Sequence, residues 1–98
     1  MANIKIKTKT GFEVTVKDNI TDDMELMDDL MDIYTRKSAN VKEVVNRMIG
    51  DAQRKKLYEH CRGKDGVVSA QKVLVETEDI FIKATNKVKA LKKSQASQ

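Results

Sequence analysis

The hydrophobic period of this chain changes once, near Asp18, and that change dictates the class of fold. Before it, Ile4, Ile6 and Thr8 alternate with Lys5, Lys7 and Lys9, and Phe12, Val14 and Val16 alternate with Glu13, Thr15 and Lys17. A period of two belongs to strands with one buried face. Lys9-Thr10-Gly11 separates the two runs, and Gly11 supplies the positive φ of a short loop. Residues 3–17 are therefore expected to form a β-hairpin with an apolar face and a lysine-rich face. Beyond Asp18 the apolar residues recur every three or four positions, the period of helices. The expectation is an α+β fold, mostly α: an N-terminal hairpin followed by about four helices.

The helices are punctuated by caps and glycines, since the chain has no proline. The first is expected over about 22–36, with Thr21 or Asp22 as cap and Asp22 and Glu25 at capping-box spacing. Leu26, Leu30, Ile33 and Tyr34 lie along it. Asn40 and Glu43 form a second capping box, and Val41, Val44, Val45, Met48 and Ile49 mark a short helix that Gly50 ends. Asp51 is placed to cap the next helix, whose buried side is expected to be Ala52, Leu57, Tyr58 and Cys61. Gly63-Lys64-Asp65-Gly66 is a turn. Ser69 caps a last helix over about 70–91, with Val73, Leu74, Thr77, Ile80, Phe81, Ala84, Val88 and Leu91 on one stripe. Residues 1–91 read as a single domain, and 92–98 as a flexible tail.

Charge divides the chain differently. Residues 1–35 carry four Lys and eight Asp/Glu, whereas residues 36–98 carry fifteen Lys/Arg and seven Asp/Glu, for a total of +4. The acid concentrates on the first helix, among Met24, Met27 and Met31. A methionine-rich stripe in an acidic surround suits a partner-binding helix. A domain of 98 residues buries only about 60–65% of its unfolded surface. The expected contact residues are Met24, Met27, Leu30, Met31 and Tyr34 on the helix and Ile4, Ile6, Phe12 and Val14 on the hairpin. The hairpin edge is a further candidate for pairing with a neighbour.

Chemistry finds little to work with. Cys61 is the only cysteine, and His60 beside it the only histidine. Neighbours on a helix point about 100° apart, a poor arrangement for one site, so no metal is expected and Cys61 reads as a small buried residue with His60 on the surface. The turn at Lys64-Asp65-Gly66 lacks the oxygen ligands of a calcium loop. There is no phosphate-binding glycine loop and no Ser/His/Asp set, so neither catalytic residues nor a cofactor are expected. With one cysteine, no signal-peptide pattern and no apolar run approaching a membrane span, a cytoplasmic location without membrane association is the natural expectation. The rival reading uses the basic stretch 40–62 as a helix-turn-helix, with Gln53, Arg54, Lys55 and Lys56 facing nucleic acid.

Taken in order, these segments resemble the small tail assembly chaperones of long-tailed bacteriophages of Gram-positive hosts. The resemblance runs over about residues 11–87. It rests on Gly11-Phe12-Glu13-Val14, the acidic helix from Asp22 to Leu30, Met48-Ile49-Gly50-Asp51-Ala52-Gln53-Arg54-Lys55-Lys56-Leu57, the turn from Lys64 to Ser69, and Glu78-Asp79-Ile80-Phe81. Many such chains close on a Lys-Asn-Ser sequence, which Lys92-Lys93-Ser94 lacks. The resemblance implies a non-enzymatic chaperone in the cytoplasm of the bacterial host. It would bind the tape measure protein, keep it soluble during tail assembly, hand it to the tail tube protein and self-associate into a homo-oligomer.

Overall fold

Alternating residues at the N-terminus pair as a two-stranded antiparallel sheet. The computed structural model of the chain describes residues 3–35 and 40–96. Strands β1 (Asn3–Lys7) and β2 (Glu13–Lys17) place Ile4 opposite Val16 and Ile6 opposite Val14. Every apolar side chain of the pair is buried, and Lys5, Lys7 and Lys17 face solvent. The loop between them closes with Thr8 N–H donating to the Phe12 carbonyl, and Gly11 takes φ 92°.

A 3₁₀ turn (Ile20–Asp22) then buries Ile20 and leads into α1 (Met24–Tyr34), α2 (Val41–Ile49), α3 (Asp51–His60) and α4 (Ala70–Ala96). The fold is α+β and mostly α. The α1 cap is Asp23, whose carboxylate accepts from Leu26 N–H at 3.1 Å, not Thr21 or Asp22. The 3₁₀ turn that anchors Ile20 uses up Asp22, so the helix starts later than its capping box suggested. Asn40 caps α2 as expected, accepting from Glu43 N–H, and Ser69 Oγ accepts from Lys72 N–H at the start of α4.

Gly50 ends α2 and starts α3 within a single residue, at φ 85° and ψ 161°. That backbone region is essentially closed to residues with a Cβ. Asp51 is therefore inside α3 and makes no cap. It pairs instead with Arg54 at 2.8 Å and Lys55 at 3.3 Å. On α3 the inward side holds Leu57 and Arg54, with Cys61 following, while Tyr58 is half-buried. Ala52, expected inside, is exposed, because it lies on the opposite side of the cylinder from Leu57 and Cys61.

One apolar cluster joins all these elements: the inner face of the hairpin, Leu26, Leu30 and Ile33 of α1, Val44, Val45, Met48 and Ile49 of α2, and the α4 stripe. The α4 helix outruns it. Its 27 residues span about 40 Å, so the long axis of the molecule is 52 Å against 28 and 20 Å for the others. Val88 is still buried but Leu91, one turn on, is half exposed. Helix continues to Ala96, beyond the end expected at 91, because no glycine or proline interrupts Leu91–Ala96. Residues 92–96 of the expected tail continue the helix, and 97–98 lie outside the described residues.

Candidate helix-binding groove

Two apolar stripes run along α1. Leu26, Leu30 and Ile33 form the first and face the core. Met24, Met27, Met31 and Tyr34 form the second, at intervals of three, four and three, the spacing of a coiled-coil seam. Met24 is 65% exposed, Met31 58%, Tyr34 45% and Met27 41%. Met27, Met31 and Tyr34 of this second stripe border a groove of about 190 Å³ between α1 and α4. Leu30 and Phe81 lie at its base, both at least partly buried, and exposed Ile82 stands on the α4 side.

The walls carry acid. Glu78 of α4 lines the groove and sits close enough to Tyr34 to act on it. Partial burial, and then the Glu78 charge, push the Tyr34 phenol above its ordinary value. By helical geometry Asp28 stands next to Met24 and Met31 at the edge of the exposed stripe, and Asp32 lies farther round α1, away from the groove; both are exposed. The remaining α1 acids have another task. Arg47 of α2 reaches Asp29 at 3.2 Å, Glu25 at 3.6 Å and Asp23 at 3.7 Å, clamping α1 to α2.

Five of the expected contact residues lie inside. Ile4, Ile6, Phe12 and Val14 are buried by the chain's own helices, Ile6 to 1% exposure. They hold the hairpin to the body and present nothing to a partner. Leu30 is 5% exposed and forms the groove floor, not a contact surface. The hairpin edges are occupied too. On β2, Thr15 exchanges two hydrogen bonds with the Gln53 side chain: its N–H donates to Oε1 at 2.8 Å, and its carbonyl accepts from Nε2 at 2.7 Å. On the β1 side, Lys9 N–H donates to Asp79 Oδ2 at 2.8 Å and the Lys5 carbonyl accepts from Lys87 Nζ. An incoming strand would have to displace these side chains.

The same contacts decide the fate of the basic stretch. Gln53 is committed to β2. Arg54 is 7% exposed, donates to Asn46 at 2.6 Å and to Asp51 at 2.8 Å, and lies over the Tyr58 ring. Neither is free to read a base edge, which corrects their assignment as nucleic-acid contacts. Lys55 pairs with Asp51, and Lys56 is exposed.

A second cluster, unread in the sequence, lies under the hairpin loop. Glu76 is 3% exposed and accepts from Thr8 Oγ1 at 2.7 Å and Thr10 Oγ1 at 2.8 Å. With both hydroxyl protons on the carboxylate, Thr10 Oγ1 meets His60 Nε2 at 2.8 Å as an acceptor, which places the proton of a neutral ring on Nε2. His60 also leans on Phe12, ring centroids 5.2 Å apart. Cys61 is buried beside this cluster. Burial first, and the Glu76 charge second, raise its thiol, with Lys72 opposing. Among the described residues no buried side-chain polar atom lacks a partner, and no group of three or more His, Cys, Asp or Glu is placed to hold a metal ion. The arrangement pins the loop to α3 and α4.

Among the described residues no helix is long and apolar enough to cross a membrane. No family model, curated protein or solved structure matches the chain.

Proposed function

We propose that this chain is a non-enzymatic assembly chaperone that binds a long amphipathic helix along the α1–α4 groove. The observation that carries this reading is the second apolar stripe of α1. A coiled-coil seam of three methionines and a tyrosine stands open to solvent on a helix whose other stripe already fills the core. Methionine is flexible and polarizable, so one such surface accepts many helix faces at low specificity. That is the requirement for coating a long repetitive helical protein. Combined with the resemblance of the sequence, the reading makes the client the tape measure protein of a bacteriophage, handed on to tail tube protein in the cytoplasm of the host. Copies lying side by side on one client would form the expected homo-oligomer without contact through the hairpin.

Co-expression tests this. A tape measure segment that aggregates alone should stay soluble with the wild-type chain and precipitate with Met27→Asp/Met31→Asp. Both positions are exposed, so circular dichroism and urea midpoint should barely change. A variant that protects the client as well as wild type removes the proposal.

A further inference from the structure

We infer that the groove selects helices whose apolar stripe is flanked by lysine or arginine; this rests on the reading of the groove as a helix-binding site. An apolar seam alone would take any amphipathic helix. Its borders are what discriminate. On one side, at the flanking position next to Met24 and Met31, stands the exposed Asp28. On the α4 side Glu78 lines the groove one turn before Phe81 and Ile82. An occupant lying in the seam brings the residues beside its own apolar stripe against these carboxylates, as the flanking positions of a coiled coil meet across its seam. Basic residues there meet opposite charge. Acidic residues there meet two like charges.

The distribution of the other α1 acids sharpens the point. Asp23, Glu25 and Asp29 turn toward α2, where Arg47 meets all three within 3.7 Å. Asp28 and Glu78 make no ion pair among the described residues. The acid of α1 is thus divided between a clamp that holds the fold and a border that faces the groove. The Glu78 field already reaches the groove interior, where it helps raise the Tyr34 phenol. The occupant is a basic amphipathic helix of a partner chain.

Three labelled helical peptides with one leucine seam, flanked by Lys, by Gln or by Glu, would be titrated with the full chain by fluorescence anisotropy. The Lys peptide should bind about fivefold more tightly than the Glu peptide, from two exposed charge contacts. The gap should narrow as salt is raised. Asp28→Asn/Glu78→Gln should erase the gap between the Lys and Glu peptides. Equal binding of all three peptides overturns the charge selection while leaving helix binding standing. Failure of all three overturns both. A chain that light scattering shows as an oligomer, made monomeric by Met31→Asp and blind to every peptide, also overturns the inference, because the groove would then belong to a second copy.

Discussion

Two buried carboxylates on α4, Glu76 and Asp79, show how a single residue serves the whole. Neither position would be chosen for a charge. Both are tolerable because the hairpin loop supplies two threonine hydroxyls to Glu76 and the Lys9 amide to Asp79, and α4 itself adds the Lys83 ammonium to Asp79. For Asp79, burial alone would raise the carboxyl, but these donors outweigh it and hold it below its ordinary value. Its unfolded-state pKa is therefore the higher one. The stability it contributes is complete above the unfolded carboxylate range, about pH 4, and is lost as pH falls through the folded value. Asp79→Asn should lower the urea midpoint at neutral pH, and the difference from wild type should vanish in acid. Glu76→Ala should cost about 3 kcal/mol in urea unfolding, since it strands the Thr8 hydroxyl and opens a cavity. The Cys61 thiol, buried and raised, should resist alkylation in the native protein and react rapidly in denaturant.

The elements divide into those legible locally and those that depend on distant partners. The hairpin could be read because a period of two survives any arrangement of the helices around it. Asn40, Gly50 and Ser69 could be read because caps and left-handed turns are set within four residues. Consecutive acids at Asp22 and Asp23 offered two equivalent caps for α1, and only the anchoring of Ile20 decides between them. Which α1 stripe faces inward was beyond reach: Leu30 and Met31 are neighbours, and the placement of α2 and α4 selects the leucine. The α4 half of the groove was missed for the same reason, although Ile82 sits off the main α4 stripe and was a usable sign. Glu76 and Asp79 could not be foreseen, since their partners lie 66 to 70 positions away. The α1 assignment is testable at this scale. Leu30→Ala should cost about 3 kcal/mol of stability, whereas Met31→Ala should cost less than about 0.5 kcal/mol. Equal costs would mean the helix is rotated.

At the scale of the molecule, a thin core carries a helix longer than itself. The radius of gyration is 14.0 Å, above the roughly 13 Å of a compact domain of this size, as expected when α4 projects past Val88. Ending the chain at Leu91 should therefore leave the urea midpoint unchanged; a fall would show that the final turns support the body. The Lys-rich outer face of the hairpin and the acids of α1 lie on different elements, although both fall within the first 35 residues. The sealed ribbon has one last consequence. An open hairpin edge invites fibril growth by strand addition, and here Gln53 and Lys87 on the strands and Asp79 at the loop sit where the next strand would dock. Concentrated solutions should stay clear and free of amyloid dye binding for as long as those three side chains hold their places.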